Sequence, residues 1–223
     1  NPDRYYNIGI HEQSMMSVSA GLSKSGLIPV VHTIGSFLIE RSFEQIKLDF
    51  GYQNLPGNLI SVGSAFDYSA LGCTHHCYTD FMLLKTLPNS EIFYPGSPRE
   101  LETQIQLTYN NNKLTLFRIS ANTHNYEFDY DRKNFRKVLK LNKGHKLTIV
   151  CTAPFVKSVL EIIEKNKLND KIDLLYVNCV KPLDTKTIEK SIIKTKKVLL
   201  IEDHLEFGGI HEDMMKLVHK KQI

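Results

Sequence analysis

Apolar runs of strand length alternate with helical patterns along the whole chain. Met15, Val18 and Leu22 stand at i, i+3 and i+7, which predicts a helix with one buried stripe. The predicted strands are residues 5–9, 28–33, 58–63, 91–94, 114–119, 147–151, 172–177 and 197–202. The predicted helices of the first half are residues 12–25, 37–53, 78–87 and 98–110. This alternation requires crossover connections, so it predicts an α/β fold with mainly parallel sheets.

A polar stretch divides the pattern into two halves. Residues 122–143 are rich in Asn, Asp, Lys and Arg and have no sustained apolar period, which is typical of a surface linker. We therefore predict a domain over residues 1–123, a linker over 124–144 and a second, smaller α/β domain over 145–223. The chain starts at Asn1 without a Met and stops at Ile223 within a helical pattern, so we expect both ends to be incomplete.

Composition excludes several classes of protein. With 223 residues, 42% hydrophobic and 23% charged, the chain has an ordinary globular composition. The net charge of +4 is spread along the chain, so neither nucleic acid nor a membrane surface is an expected partner. No apolar run approaches the roughly 18 to 20 residues that span a bilayer. Four cysteines in a chain of this size favour reduced thiols and a cytoplasmic location.

The most informative acid is Glu12, which follows a predicted strand and opens a predicted helix. Open parallel sheets bind ligands at the edge where their strands end. An acid in a first helical turn also complements the helix dipole, so this position alone is weak evidence for a site.

Motifs in one order along about 200 residues make the evidence stronger. They are the run from Asn1 to Val31 with its Glu12, His32-Thr33-Ile34-Gly35-Ser36-Phe37, Arg41-Ser42-Phe43-Glu44-Gln45, Gly72-Cys73-Thr74-His75, Tyr94-Pro95-Gly96-Ser97, Val180-Lys181-Pro182-Leu183-Asp184 and Ile201-Glu202-Asp203-His204. This series resembles the pyrimidine-binding and C-terminal domains of transketolases and of deoxyxylulose-phosphate synthases. The resemblance implies thiamine diphosphate as cofactor.

The resemblance places three residues at the cofactor. Glu12 matches the acid that bonds to a ring nitrogen of the aminopyrimidine, a role that requires a carboxyl able to hold or share a proton. Phe37 matches the aromatic residue that stacks on that ring. Arg41 belongs to the same cofactor-binding segment.

Two further residues match substrate positions. His75 resembles the histidine that faces the oxygen atoms of the substrate and moves protons. Arg118 matches a position that holds the phosphate of a sugar phosphate, a contact that suits a guanidinium.

The chain also departs from the family, because Leu71 stands where transketolases have an aspartate that contacts a sugar hydroxyl. We therefore expect an altered preference for pentose phosphate donors.

The family's diphosphate- and magnesium-binding motif, Gly-Asp-Gly followed by Asn, is missing from these 223 residues. We therefore expect Mg2+ to be held by an N-terminal transketolase subunit, in an assembly of two plus two subunits.

One short segment contains four potential zinc ligands, namely Cys73, His75, His76 and Cys77. Four donors within five residues cannot readily surround one ion. No metal site is expected on this chain.

The resulting prediction is the C-terminal subunit of a split transketolase-like enzyme, active only with its partner. It would move a two-carbon ketol unit between sugar phosphates or nucleotide-linked sugars. The alternatives are the β subunit of a 2-oxoacid or acetoin dehydrogenase, a deoxyxylulose-phosphate synthase, and an assembly subunit that has kept the fold without the chemistry.

Overall fold

The computed structural model describes residues 2–128 and 130–221, and this part of the chain forms two sheets. The strands are β1 (Val30–Ile34), β2 (Gly57–Val62), β3 (Ser90–Phe93), β4 (Leu114–Ile119), β5 (Leu139–Asn142), β6 (Leu147–Thr152), β7 (Ile172–Val177), β8 (Cys179–Lys181) and β9 (Val198–Ile201). The α-helices are α1 (Glu12–Lys24), α2 (Phe43–Gln45), α3 (Asp80–Lys85), α4 (Pro98–Thr108), α5 (Val156–Lys165), α6 (Thr185–Thr195) and α7 (Ile210–Lys221). The predicted α/β class is confirmed.

The first sheet has the strand order β1-β2-β4-β3-β8, and its first four strands are parallel. Val62 of β2 is paired with Ile34 of β1 on one side and with Ile119 of β4 on the other. These three strands therefore end at the same level, and the segments that follow them meet at one edge of the sheet.

The second sheet has the order β5-β7-β6-β9, in which only β5 is antiparallel. Strand β5 lies within residues 124–144, so the predicted linker is wrong at its carboxyl end. The short strand β8 follows β7 but pairs with β3 of the first sheet. The two halves therefore share a sheet, and the division at the linker is incomplete.

Local sequence explains where the regular helices begin. Ser97 caps α4 by accepting a hydrogen bond from the backbone of Glu100 at 3.3 Å, and Pro98 occupies the first turn. Asp184 caps α6 in the same way through the backbone of Thr187. Three of the four helices predicted in the first half are found as α1, α3 and α4, whereas residues 37–53 do not form one regular helix.

That segment divides into a π-helical turn (Ser36–Glu40), the short α2, and a second π-helical stretch (Ile46–Tyr52). The backbone of Arg41 donates to the carbonyl of Ser36, five residues back, at 3.0 Å. The Ser42 hydroxyl also donates to the carbonyl of Leu38, a bond that loosens a helix at that point. Because π-helical turns are frequent at functional sites, the prediction of an uninterrupted helix missed a relevant feature.

The predicted strand at residues 5–9 is also wrong. These residues are exposed and have no strand partner in the part of the chain that the structure describes. Gly9 has a φ of +77°, and its backbone donates to the Asn7 side chain at 2.9 Å. The apolar side chains that suggested a strand lie on the surface instead.

One continuous apolar core runs through both halves. It includes Leu59 and Phe117 of the first sheet and Val150 and Leu174 of the second. No helix within residues 2–128 and 130–221 combines the length and the apolar character that crossing a bilayer requires.

Buried Asp173 of β7 connects this strand to its neighbour β5 and to α6. Its carboxylate contacts the Lys140 ammonium at 2.9 Å and the Lys194 ammonium at 3.0 Å, and it accepts a hydrogen bond from the Ser191 hydroxyl. Burial raises the pKa of Asp173, but the hydrogen bonds from these three partners lower it more, so the net pKa lies below its usual value. The ionised carboxylate therefore stabilises the fold.

Replacing Asp173 with Asn should lower the free energy of unfolding at pH 7 by about 1 to 3 kcal/mol, because a charged hydrogen-bond acceptor is lost. The contribution of a carboxylate with a lowered pKa is complete above its unfolded-state pKa of about 3.9 and is lost as the pH falls through the folded-state value. Urea unfolding from pH 7 to pH 3 should therefore show the two proteins converging in acid. Asp170→Asn, at an exposed position, is the matched control. An equal loss at every pH would contradict this role of the charge.

Candidate active site

Glu12 is the first residue of α1 and is 6% exposed. The turn at Gly9 leads into this helix, because the His11 backbone donates to the Gly9 carbonyl at 3.0 Å. The Oε2 atom of Glu12 lies 2.8 Å from a guanidinium nitrogen of Arg41. A buried carboxylate at a helix start, with a cation beside it, is therefore the first component of the site.

Phe37 and Arg41 come from the π-helical turn that follows β1. The guanidinium carbon of Arg41 lies 4.0 Å from the centre of the Phe37 ring, which is within the range of a cation–π contact. The flat guanidinium thus covers one face of the ring and donates to Glu12 at the same time. Its partly exposed position leaves this arrangement open to solvent on one side.

His75 belongs to the loop after β2. Residues 65 and 77 close this loop, since the backbones of Ala65 and Cys77 exchange two hydrogen bonds of 2.9 Å. The His75 ring meets the Phe37 ring edge-on, with 5.1 Å between ring centres and a 67° angle between the planes. Its Nδ1 atom lies 2.9 Å from the Thr74 hydroxyl. The Ser36 hydroxyl donates to the Thr74 carbonyl at 3.1 Å, so the loop is attached to the π-helical turn.

Four of the five predicted site residues therefore form one continuous group: Glu12 contacts Arg41, Arg41 covers Phe37, and Phe37 meets His75. The group combines a buried carboxylate, an aromatic surface and an imidazole. Such a set can bind a flat ring that carries an N–H donor and can move protons near neutral pH.

The structure corrects the expectation for Arg118. This residue is 0% exposed and lies in an ion pair with Asp80, with 2.8 Å between Nε and the carboxylate. A second carboxylate, of Asp203, lies 3.2 Å from another nitrogen of the guanidinium. With its faces covered by the rings of Phe81 and Tyr94, both 4.5 Å away, Arg118 has no open side that a substrate phosphate could reach.

Sequence reasoning missed Asp67, which organises the loops at the same edge of the sheet. Its carboxylate accepts hydrogen bonds from the Ser64 backbone at 3.1 Å, the Ser120 hydroxyl at 3.1 Å and the Ala121 backbone at 2.9 Å. A cavity of about 230 Å³ lies beside it. Its lining residues are Val62, Gly63, Asp67, Tyr68, Ile119, Ser120 and Ala121. The signal in the sequence that could have identified Asp67 is an acidic residue shortly after a buried strand.

The cavity adjoins the group around Phe37, because the ring of Tyr68 lies 6.3 Å from the ring of His75. Gly63 has a φ of +74°, and a side chain there would collide with the Tyr68 ring. Within residues 2–128 and 130–221, no three His, Cys, Asp or Glu side chains are arranged to share a metal ion.

Comparison with solved structures identifies a similar fold. The chain superposes on a structure described as "Split gene transketolase, inactive beta4 tetramer" with a TM-score of 0.85. The match covers 98% of this chain and 72% of that chain at 23% sequence identity, so it concerns the fold.

Many proteins are similar in sequence to this chain, among them a transketolase subunit and a synthase. An apulose-4-phosphate transketolase subunit of Actinobacillus succinogenes is 31% identical over 217 residues, which cover 94% of this chain and 68% of that protein. The 1-deoxy-D-xylulose-5-phosphate synthase of Clostridium perfringens is 28% identical over 230 residues, which cover 98% of this chain and 36% of that protein.

Two family models cover nearly the whole chain in order. The model of the transketolase pyrimidine-binding domain matches residues 1–125, and the model of the transketolase C-terminal domain matches residues 136–223. The chain therefore belongs to the transketolase family and carries its pyrimidine-binding domain followed by its C-terminal domain.

Proposed function

We propose that this chain is the C-terminal subunit of a split transketolase-like enzyme that depends on thiamine diphosphate. The observation that carries the proposal is the contact of Glu12 and Phe37 with one flat guanidinium, that of Arg41. The name of the Actinobacillus relative, which is one subunit of a transketolase, supports the assignment of a subunit. The reaction would move a two-carbon ketol unit between sugar phosphates or nucleotide-linked sugars.

The residues present fit the ring of this cofactor. The guanidinium of Arg41 is flat, stacks on Phe37 and donates an N–H to the carboxylate of Glu12. An aminopyrimidine needs the same two contacts, an aromatic surface and a carboxyl at a ring nitrogen. When bound, thiamine diphosphate would supply a thiazolium ring, of which one carbon acts as nucleophile and the cationic ring as electron sink.

Each of the four site residues then has a defined role. Glu12 would hold or share the proton at the ring nitrogen, and Phe37 would fix the orientation of the ring by contact area. Arg41 would border the bound ring after its guanidinium moves off the face of Phe37. His75, beside that face, would take up or release protons at the oxygen atoms of the substrate.

We also propose that a partner subunit holds the diphosphate and Mg2+, in an assembly of two plus two subunits. Magnesium needs hard oxygen ligands and phosphate, and the Gly-Asp-Gly motif that provides them in the family is missing from these residues.

We further propose a cytoplasmic location for the enzyme, since all four cysteines of the chain are free thiols.

A second candidate function is deoxyxylulose-phosphate synthesis. It is supported by the match that covers 98% of this chain with the enzyme of Clostridium perfringens. Assaying the assembled enzyme for formation of 1-deoxyxylulose 5-phosphate distinguishes this activity from ketol transfer.

The substitution Glu12→Gln keeps the shape of the side chain and a hydrogen bond but removes the acid. Turnover of the assembled enzyme should fall at least about a hundredfold, the usual scale for one acid–base group, while cofactor binding survives. Steady-state rates and calorimetric titration measure the two effects. Glu44→Gln, exposed on α2, is the control and should leave the rate unchanged. Native turnover in the Glu12 variant would refute its role.

Leu71, 57% exposed at the end of a short turn in the His75 loop, provides a test of substrate preference. Leucine cannot accept a hydrogen bond from a sugar hydroxyl, so common pentose phosphate donors should be poor substrates. Leu71→Asp should raise kcat/KM for xylulose 5-phosphate, and Leu71→Ala, which shortens the side chain without adding an acceptor, is the control. Efficient use of that donor by the native enzyme would argue against altered specificity.

The isolated chain should bind thiamine diphosphate weakly. A stacking surface and one carboxyl hydrogen bond contribute about 2 to 4 kcal/mol, below the roughly 8 kcal/mol of micromolar affinity. Calorimetric titration with cofactor and Mg2+ should therefore show micromolar binding only after a diphosphate-binding partner is added. Micromolar affinity or ketol transfer by the chain alone would contradict the proposal of a divided site.

A further inference from the structure

The enclosed Arg118 joins the two halves of the molecule. It stands near the end of β4, and its guanidinium meets Asp80 of α3 and Asp203, which follows β9. One of its nitrogens also donates to the Cys77 carbonyl and to the Asp203 carbonyl, each at 3.2 Å. Asp203 is the carboxylate that the C-terminal half contributes to this cluster.

Asp203 is held by partners from both halves. The Tyr94 hydroxyl donates to its Oδ2 atom at 2.7 Å, and the Thr152 hydroxyl donates to its Oδ1 atom at 3.3 Å. The Tyr94 hydroxyl also lies 2.9 Å from the Ser64 hydroxyl. A single side chain of the C-terminal half is thus connected to the first sheet through Arg118 and through Tyr94.

These two connections reach the two ends of one functional loop. Ser64 immediately precedes residues 65–77, and the Cys77 carbonyl that Arg118 binds closes them. The same loop carries His75 against the ring of Phe37. Both ends of the segment that presents the imidazole are therefore fixed to a cluster that Asp203 completes.

We propose that Asp203 is a positioning residue for His75 and that the C-terminal domain acts on the site through it. Without the carboxylate of Asp203, Arg118 would shift toward Asp80 and release the Cys77 carbonyl. The loop would then open at its base, and His75 would lose its fixed place beside Phe37. The catalytic consequence rests on the proposed function, whereas the opening of the loop can be measured without it.

The cysteines of the chain report this opening. Cys73 is exposed within the loop, whereas Cys77, Cys151 and Cys179 are buried. Burial raises the pKa of the Cys77 thiol, and the nearby Asp80 carboxylate adds to the effect. Cys77 should therefore react with iodoacetamide only when the base of the loop opens.

The first experiment is alkylation of the native chain by iodoacetamide, with the labelled cysteines mapped by mass spectrometry. In Asp203→Asn, Cys77 should react at least about tenfold faster than in the unmodified chain, the effect expected of a local opening. Cys151 and Cys179 should stay protected, which shows that the variant is folded. The matched control is Asp213→Asn, which breaks another contact between the halves, the ion pair of Asp213 with Lys85.

A Cys77 that stays protected in folded Asp203→Asn overturns the proposal. If Cys151 and Cys179 also react, the variant has unfolded and Tyr94→Phe decides instead. That change removes only the hydroxyl that bonds to Asp203 and Ser64. Faster alkylation of Cys77 alone then supports the proposal, and an unchanged rate overturns it.

The second experiment is a double-mutant cycle in the assembled enzyme. Asp203→Asn should lower kcat at least about tenfold beside a native His75, and less than about twofold in a His75→Ala background. Equal losses in both backgrounds would show a general structural effect and overturn the positioning role. If His75→Ala alone leaves kcat unchanged, the role of His75 in the proposed function is wrong. The alkylation of Cys77 still tests the opening of the loop in that case, because it does not depend on activity.

Discussion

Parallel pairing of β1, β2 and β4 is the constraint on which the site depends. Because Ile34, Val62 and Ile119 lie in one row across the sheet, the segments after the three strands start from the same edge. The first segment brings Phe37 and the second brings His75, while α1 places Glu12 beside them. Residues far apart in the sequence therefore meet at one edge of the sheet.

Two arginines near this edge of the sheet differ in exposure and in the number of their carboxylate partners. Arg41 is partly exposed and has one carboxylate partner, so its guanidinium can move toward solvent when a bound ring takes over its contacts with Glu12 and Phe37. Arg118 is enclosed with two carboxylates, and removal of either partner would leave a buried charge poorly compensated. The first arrangement suits a surface that a ligand takes over, and the second suits a fixed joint between the halves.

The sequence predicted the fold class, because the alternation of strand and helix patterns is a local signal. The resemblance of its motifs to the family singled out Glu12, Phe37 and His75, which the structure brings together around Arg41. The contact of Arg41 with Phe37 depends on a π-helical turn, which apolar spacing does not reveal. The burial of Arg118 depends on Asp203, 85 residues further along the chain. Strand β8 was missed because three residues give too short a pattern, and β5 was missed because it lies in the polar stretch of residues 122–143.

The central claim is that Glu12 and Phe37 together bind the ring of the cofactor. The position of the bound ring tests this claim most directly. The measurement is a crystal structure of the assembled enzyme with thiamine diphosphate and Mg2+. We expect the aminopyrimidine stacked on Phe37, a ring nitrogen within hydrogen-bond distance of Glu12, and the guanidinium of Arg41 moved off the ring. A cofactor bound elsewhere, with Arg41 still between Glu12 and Phe37, would contradict this assignment.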